Sequence, residues 1–198
     1  MKIKKILFYL LAGLLGGCIP VLSLHPLYTE KNIVFEEKLL GIWVQQDSNN
    51  TWEFKNPDES EKVYELNLYE NEVKKGVFSA HLAKLDERLL LDVHPTKFPS
   101  EQEDVEKMKL PYNAFFFIPG HTFAIIDSIE PQLKIRWTID DELEKLLEEK
   151  PNAVKHELVK DRVVLTAETS QLQKFVLKYA DDKRVFPAKA VLTRKESK

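Results

Sequence analysis

Val63-Tyr64-Glu65-Leu66-Asn67-Leu68-Tyr69 alternates residue by residue, with Tyr64, Leu66 and Leu68 on one side and Glu65 and Asn67 on the other. Only an extended chain, whose successive side chains point to opposite faces, turns that period of two into one buried face and one wet one. The stretch is therefore predicted to be a half-buried β-strand, and the same punctuation continues in both directions. Upstream, Gly41-Ile42-Trp43-Val44-Gln45 and Thr51-Trp52-Glu53-Phe54-Lys55 flank the turn formers Asp47-Ser48-Asn49-Asn50 and read as a hairpin. Downstream, Asn71 to Gly76 turns the chain into a strand over 76–84, where Phe78, Ala80 and Leu82 share a face. Asp86-Glu87 turns it again into Arg88–Val93. Strands this short, joined by short polar turns, run antiparallel, because parallel neighbours need crossovers of roughly a dozen residues or more.

The alternation breaks at His94-Pro95. Residues 95–111 carry Pro95, Pro99 and Pro111 around a polar run and read as a long insertion with one short helix from Ser100, Glu103 standing at capping-box spacing. Loops of this length in a compact domain are usually functional, which makes this segment the lid candidate. Strands resume over 112–118, 121–129 and 132–139. Asp140–Glu149 reads as an acidic amphipathic helix, its first-turn carboxylates favoured by the helix dipole, with Pro151 ending it. Short strands follow over 154–159 and 162–166. Leu172, Phe175, Val176 and Tyr179 then recur at helical spacing, with Ser170 and Gln173 placed as a capping box, and 189–194 forms a last strand. About ten strands with two helices in the C-terminal third predict a mainly β, α+β fold, an antiparallel meander closed into a barrel, since closure removes exposed edges. One domain is expected over residues 34–198.

The N-terminus is of a different kind. Lys2, Lys4 and Lys5 precede an apolar run from Ile6 to Leu15. That run is the length of a secretion signal's apolar core and well short of the roughly 20 residues a membrane-spanning helix requires. Leu15-Gly16-Gly17-Cys18 closes it and resembles the lipobox of bacterial lipoproteins. The resemblance implies that residues 1–17 are a signal peptide cleaved before Cys18, that the Cys18 thiol carries a diacylglycerol, and that the new amine is acylated too. Two or more acyl chains anchor stably where a single one binds marginally. Residues 18–33 become a lipidated arm or tether, of which Leu24–Tyr28 is apolar enough to pack along the domain. Ile19, in place of an Asp after the cysteine, implies the outer membrane, with the domain facing the periplasm.

Cys18 is the single cysteine, so the chain has no disulfide framework, and a thioether to lipid leaves no free thiol. Removing 17 residues from 198 leaves 181, enough for one domain with a sizeable core. With three lysines lost in the leader, the mature chain carries 26 basic against 32 acidic residues, a net charge of −6. Mild acidity without a basic block excludes the electrostatic footprint of a nucleic-acid partner.

A second resemblance lies in Gly41-Ile42-Trp43, which is similar to the Gly-x-Trp at the first strand of lipocalins. There the Trp plugs the closed end of an eight-stranded barrel and a helix precedes a last strand, as 168–180 precedes 189–194 here. The resemblance implies a lipocalin-like barrel. The segments Leu24–Tyr28, Gly41–Trp43 and Leu172–Asp182 also resemble a group of bacterial lipoproteins with no assigned activity, which implies no mechanism.

Candidate chemistry is sparse. The five histidines are His25, His81, His94, His121 and His156, and none forms a zinc-protease pair with a Glu between. His81 and His94 can face each other across neighbouring strands with Asp92 nearby, a grouping suited to a metal ion or to acid–base work. Strand parity sets His81 with Ser79, on the side away from Phe78 and Leu82, where histidines ordinarily meet water, so no metal and no cofactor are expected. Asp127, beside Ser128 at a strand end, needs no catalytic role, and no Gly-x-Ser-x-Gly elbow accompanies any serine. Six glycines form neither a phosphate-binding nor a dinucleotide loop. An enzyme is therefore not expected. Phe115 and Phe117 share one face of the densest aromatic run and are candidates for a ligand-cavity lining, against the plainer reading as core. The expected function is a membrane-anchored binding module of the cell envelope, taking a small apolar ligand or peptide in its barrel, since about eight strands can enclose one small ligand. The alternative is a structural or assembly lipoprotein whose filled barrel docks to an envelope protein complex.

Overall fold

Eight antiparallel strands close on themselves in the computed structural model, which describes residues 20–46, 48–96, 118–160 and 162–195. Two short strands come first, β1 (Leu22–Ser23) and β2 (Ile33–Val34). A meander follows: β3 (Gly41–Gln45), β4 (Thr51–Lys55), β5 (Tyr64–Glu70), β6 (Val73–Leu85), β7 (Arg88–Pro95), β8 (Thr122–Ser128) and β9 (Gln132–Trp137). Helix α1 (Asp140–Glu149), strands β10 (His156–Leu158) and β11 (Val163–Leu165), and helix α2 (Thr169–Tyr179) then lead to β12 (Ala188–Arg194). The ring runs from β3 through β9 in chain order, and β12 lies between β9 and β3 to complete it. This is an antiparallel barrel compatible with the lipocalin-like plan.

The alternation of β5 decides which face is inside. Tyr64 and Leu66 are buried in the barrel together with Trp43, Phe54, Leu82 and Leu91. One end is stoppered. Trp43 is fully buried, its indole Nε1 donates to the Leu39 carbonyl at 2.8 Å, and the Arg194 guanidinium lies over its ring at 4.4 Å. Arg194 also donates to the Leu40 carbonyl at 2.6 Å and to that of Lys38. Gly41 sits at φ +114°, where a side chain is strained, and a Cβ there would come within 2.8 Å of Arg194 Nη1. The Gly-x-Trp spacing thus has a local reason: the glycine leaves room for the arginine that caps the tryptophan.

A second core lies outside the barrel. Ala83, Leu85, Leu90, Phe123 and Ile125 point outward from β6, β7 and β8 and pack against Leu143 and Leu146 of α1 and Leu172, Phe175 and Val176 of α2. The helices, β10 and β11 occupy the crossover between β9 and β12, and β1 of the arm joins β11 in parallel to make the small sheet β1-β11-β10. The arm from Pro20 to Tyr28 belongs to this layer: Val21 and Leu27 are fully buried, and Ser23 and His121 exchange both backbone hydrogen bonds at 2.8 Å.

Two local readings change. The turn before β6 is Asn71-Glu72, both at positive φ, so the strand starts at Val73 and Gly76 lies inside it. The Ser170–Gln173 capping box does not form: the N-cap of α2 is Glu168, and Gln173 donates from Nε2 to the Leu27 carbonyl at 2.8 Å. Tertiary contact with the arm outcompetes the local cap. The readings over 1–19 and 97–117, including the Ser100 helix and the strand at 112–118, lie outside the described residues. Among the described residues no helix is long and apolar enough to cross a membrane.

Replacing Trp43 with Ala removes the stopper and its cation–π partner. Urea denaturation is expected to show a loss of about 3–5 kcal/mol, and a loss under about 1 kcal/mol would show that the end is held by other means.

Candidate functional site

The barrel wall between β7 and β8 carries two features back to back. Val93 and Thr122 are paired across these strands and face inward, so their neighbours Asp92, His94 and His121 face outward. From β6 comes His81, in register with Asp92, and from the arm come the Leu27 amide and the Tyr28 ring.

Asp92 is the centre of the outer cluster and is only 1% exposed. Its Oδ2 accepts from the Leu27 N–H at 2.6 Å, and its Oδ1 lies 2.7 Å from His121 Nδ1. A carboxylate can only accept, so that imidazole nitrogen carries the proton and donates. The His94 ring lies 4.9 Å from that of His121, and His81 stacks on His94 at 5.9 Å with planes 9° apart. Tyr28 closes the group, stacked on His81 at 4.2 Å. Nδ1 of His81 and Nδ1 of His94 are buried with no hydrogen-bond partner. Burial, reinforced by the neighbouring imidazoles, pushes the His81 and His94 pKa values below the usual histidine range, so both rings are neutral at neutral pH. Burial, with the Asp92 charge added, pushes the Tyr28 hydroxyl up.

A carboxylate and three imidazoles at these distances can hold a cation or pass a proton. Covalent catalysis would need a nucleophile beside the Asp92–His121 pair. Among the described residues no serine or threonine hydroxyl bonds to these rings, and the nearby Ser23 donates to the His25 carbonyl at 2.7 Å.

Inside the same wall, at the end of the barrel where β7 finishes and β8 begins, the described residues line an apolar cavity of about 300 Å³. Trp52, Leu68, Phe78, Val93 and Trp137 line it, with Pro20 of the arm and Ile139 beside them. Thr122 is among the lining residues, and its hydroxyl is buried without a partner. Two larger depressions, over the outer face of β3 to β5 and beside α2, are open surface grooves that gather no comparable group.

The sequence reading placed His81, His94 and Asp92 on one face, and the structure brings them together. His121 and Tyr28 it did not join to them. Strand parity alone could have found His121, two residues from the partner of Asp92 on β8. The expectation of a wet face does not hold, because the arm and helices cover it. Asp127 is taken up by a bidentate pair with Arg136 at 2.8 and 2.9 Å. His25 lies 3.7 Å from Glu168, and His156 meets the Val154 carbonyl at 2.9 Å. Leu15, Gly16, Gly17, Cys18, Phe115 and Phe117 lie outside the described residues.

Asp92→Ala frees both the Leu27 amide and His121. Hydrogen exchange is expected to show lost protection at Leu27 and Ser23 together with a stability loss of about 1.5–3 kcal/mol, the range for bonds to a charged group. Unchanged protection at Leu27 would mean that the arm is held without the carboxylate.

No protein-family model matches this chain, and comparison with curated proteins and with solved structures returns no significant match.

Proposed function

We propose that this chain is a lipid-anchored binding module of the cell envelope that carries a small, mainly apolar molecule in the open end of its barrel. The observation that carries the reading is the cavity of about 300 Å³ lined by Trp52, Leu68, Phe78 and Trp137. Such a volume lies at the small end of the range for ligand pockets, roughly 300–1,000 Å³. The lining is almost wholly apolar, which favours an apolar ligand.

The anchor rests on the basic and apolar leader and on Leu15-Gly16-Gly17-Cys18. Pro20, which lines the cavity, stands two residues after Cys18, a reach of about 7 Å at full extension. A diacylglycerol on Cys18 would thus hold the open end against the bilayer, and an apolar ligand would pass between lipid and barrel without crossing much water. In this reading the protein sits on the outer membrane and faces the periplasm.

Native mass spectrometry of the lipidated protein, taken from its host envelope into detergent-free nanodiscs, tests the carrier reading. A discrete small molecule is expected on the wild type and not on Leu68→Trp, which fills the cavity. An empty wild-type barrel would sink the proposal and favour a filled, docking barrel. Separately, Cys18→Ser is expected to move the protein out of the membrane fraction, and unchanged fractionation would refute the anchor.

A further inference from the structure

We infer that Asp92, His94 and His121 form a binding site for a divalent transition-metal ion of the zinc class on the outer wall of the barrel. The site is independent of what the open end holds. One donor atom from each residue lies within 4.8 Å of the others. Around tetrahedral zinc, with ligand bonds of roughly 2.0–2.2 Å, the donors stand about 3.3–3.6 Å apart. The set closes on an ion by about an ångström, a movement that side-chain rotation supplies.

The donor types agree with the ion. Two imidazoles and a carboxylate are nitrogen and oxygen ligands that suit zinc and its neighbours, and they leave a fourth position for water. His94 offers a buried Nδ1 that bonds to nothing, and the adjoining His81 presents a second. A buried polar atom without a hydrogen-bond partner is uncommon in a folded protein, and Nδ1 of His94 is one on a residue of the set. The support around the ligands is in place as well. The Leu27 amide fixes Asp92 through Oδ2, and strand pairing fixes the three backbones: Asp92 against Phe123 of β8, His94 against Ser79 of β6, and His121 against Ser23 of the arm. His121 retains 14% side-chain exposure, which gives the ion a path in from water.

The hydrogen bond between Asp92 and His121 is compatible with this assignment. In the ion-free state it occupies Oδ1 of the carboxylate. When an ion binds, the proton on His121 Nδ1 moves to Nε2, so that Nδ1 and Asp92 Oδ1, which face each other across the hydrogen bond, both turn to the ion.

The test uses the full-length chain in mild detergent with Cys18→Ser, so that no thiol competes, after stripping with a chelator. Titration with zinc chloride by calorimetry is expected to give one ion per chain with a Kd of about 1 µM or tighter. Cobalt(II) in its place should give a visible spectrum of nitrogen and oxygen coordination. His94→Gln and His121→Gln are each expected to weaken binding about a hundredfold, whereas His25→Gln and His156→Gln leave it unchanged. Circular dichroism confirms that His94→Gln is folded, and zinc should raise the melting temperature of the parent and not of that variant. Binding weaker than about 100 µM in the parent overturns the site, as does full affinity in folded His94→Gln or a loss in the His25 and His156 variants.

Discussion

Closure of the eight-stranded ring is the constraint from which the rest follows. Eight strands fix an interior just wide enough for side chains to fill or for one small ligand. The large residues Trp43, Phe54 and Tyr64 take up one end of that space, and the remainder is the cavity at the other. Closure also leaves a problem on the outside. The outer faces of β6, β7 and β8 carry Ala83, Leu85, Leu90, Phe123 and Ile125, an apolar surface that needs cover. The long crossover between β9 and β12 supplies it with two helices, and the arm from Pro20 onward covers what they leave. Of the groups at the edge of that cover, Asp92 is buried and the three histidines are half-buried as a consequence.

A carboxylate that is 1% exposed is tolerated only when its oxygens are occupied. Asp92 has one oxygen on a backbone amide and the other on an imidazole, so the arm and the barrel wall are joined through a single side chain. That arrangement is more elaborate than fastening an arm requires, since Leu27, Val21 and the Ser23–His121 hydrogen bonds already hold it. The surplus is in His81 and His94, each of which keeps a buried Nδ1 without a hydrogen-bond partner.

Most of the barrel was legible because each strand has one wet or covered face and one interior face, which writes a period of two into the sequence. The hairpin at 41–55, the inward face of β5 and both helices read directly, and the place of Trp43 followed from the likeness of Gly41-Ile42-Trp43 to the lipocalin Gly-x-Trp; Asn67, expected on the wet face of β5, is fully buried. What failed to read was non-local. His81, His94 and Asp92 fall on one face by parity, but nothing local says that this face is covered, because the cover comes from Leu27 and Tyr28, more than fifty residues upstream of His81. His121 reaches the group across a connection of more than twenty residues. Gln173 misled in the same way, its cap-like spacing overruled by a carbonyl on the arm.

The pairing of β12 with β3 joins Arg194 to Trp43, about 150 residues apart in the chain, so the ring is completed by its last strand. Contacts of such sequence separation form late, after the cost of closing the loop between them has been met. Until then β3 and β9 are open edges and Trp43 lacks its arginine cap. During synthesis the chain therefore remains an unclosed sheet until residues beyond Ala188 have emerged. A chain passed through a narrow channel before folding would suffer no penalty from this order of events, whereas one that stalls short of β12 would present two edges for aggregation.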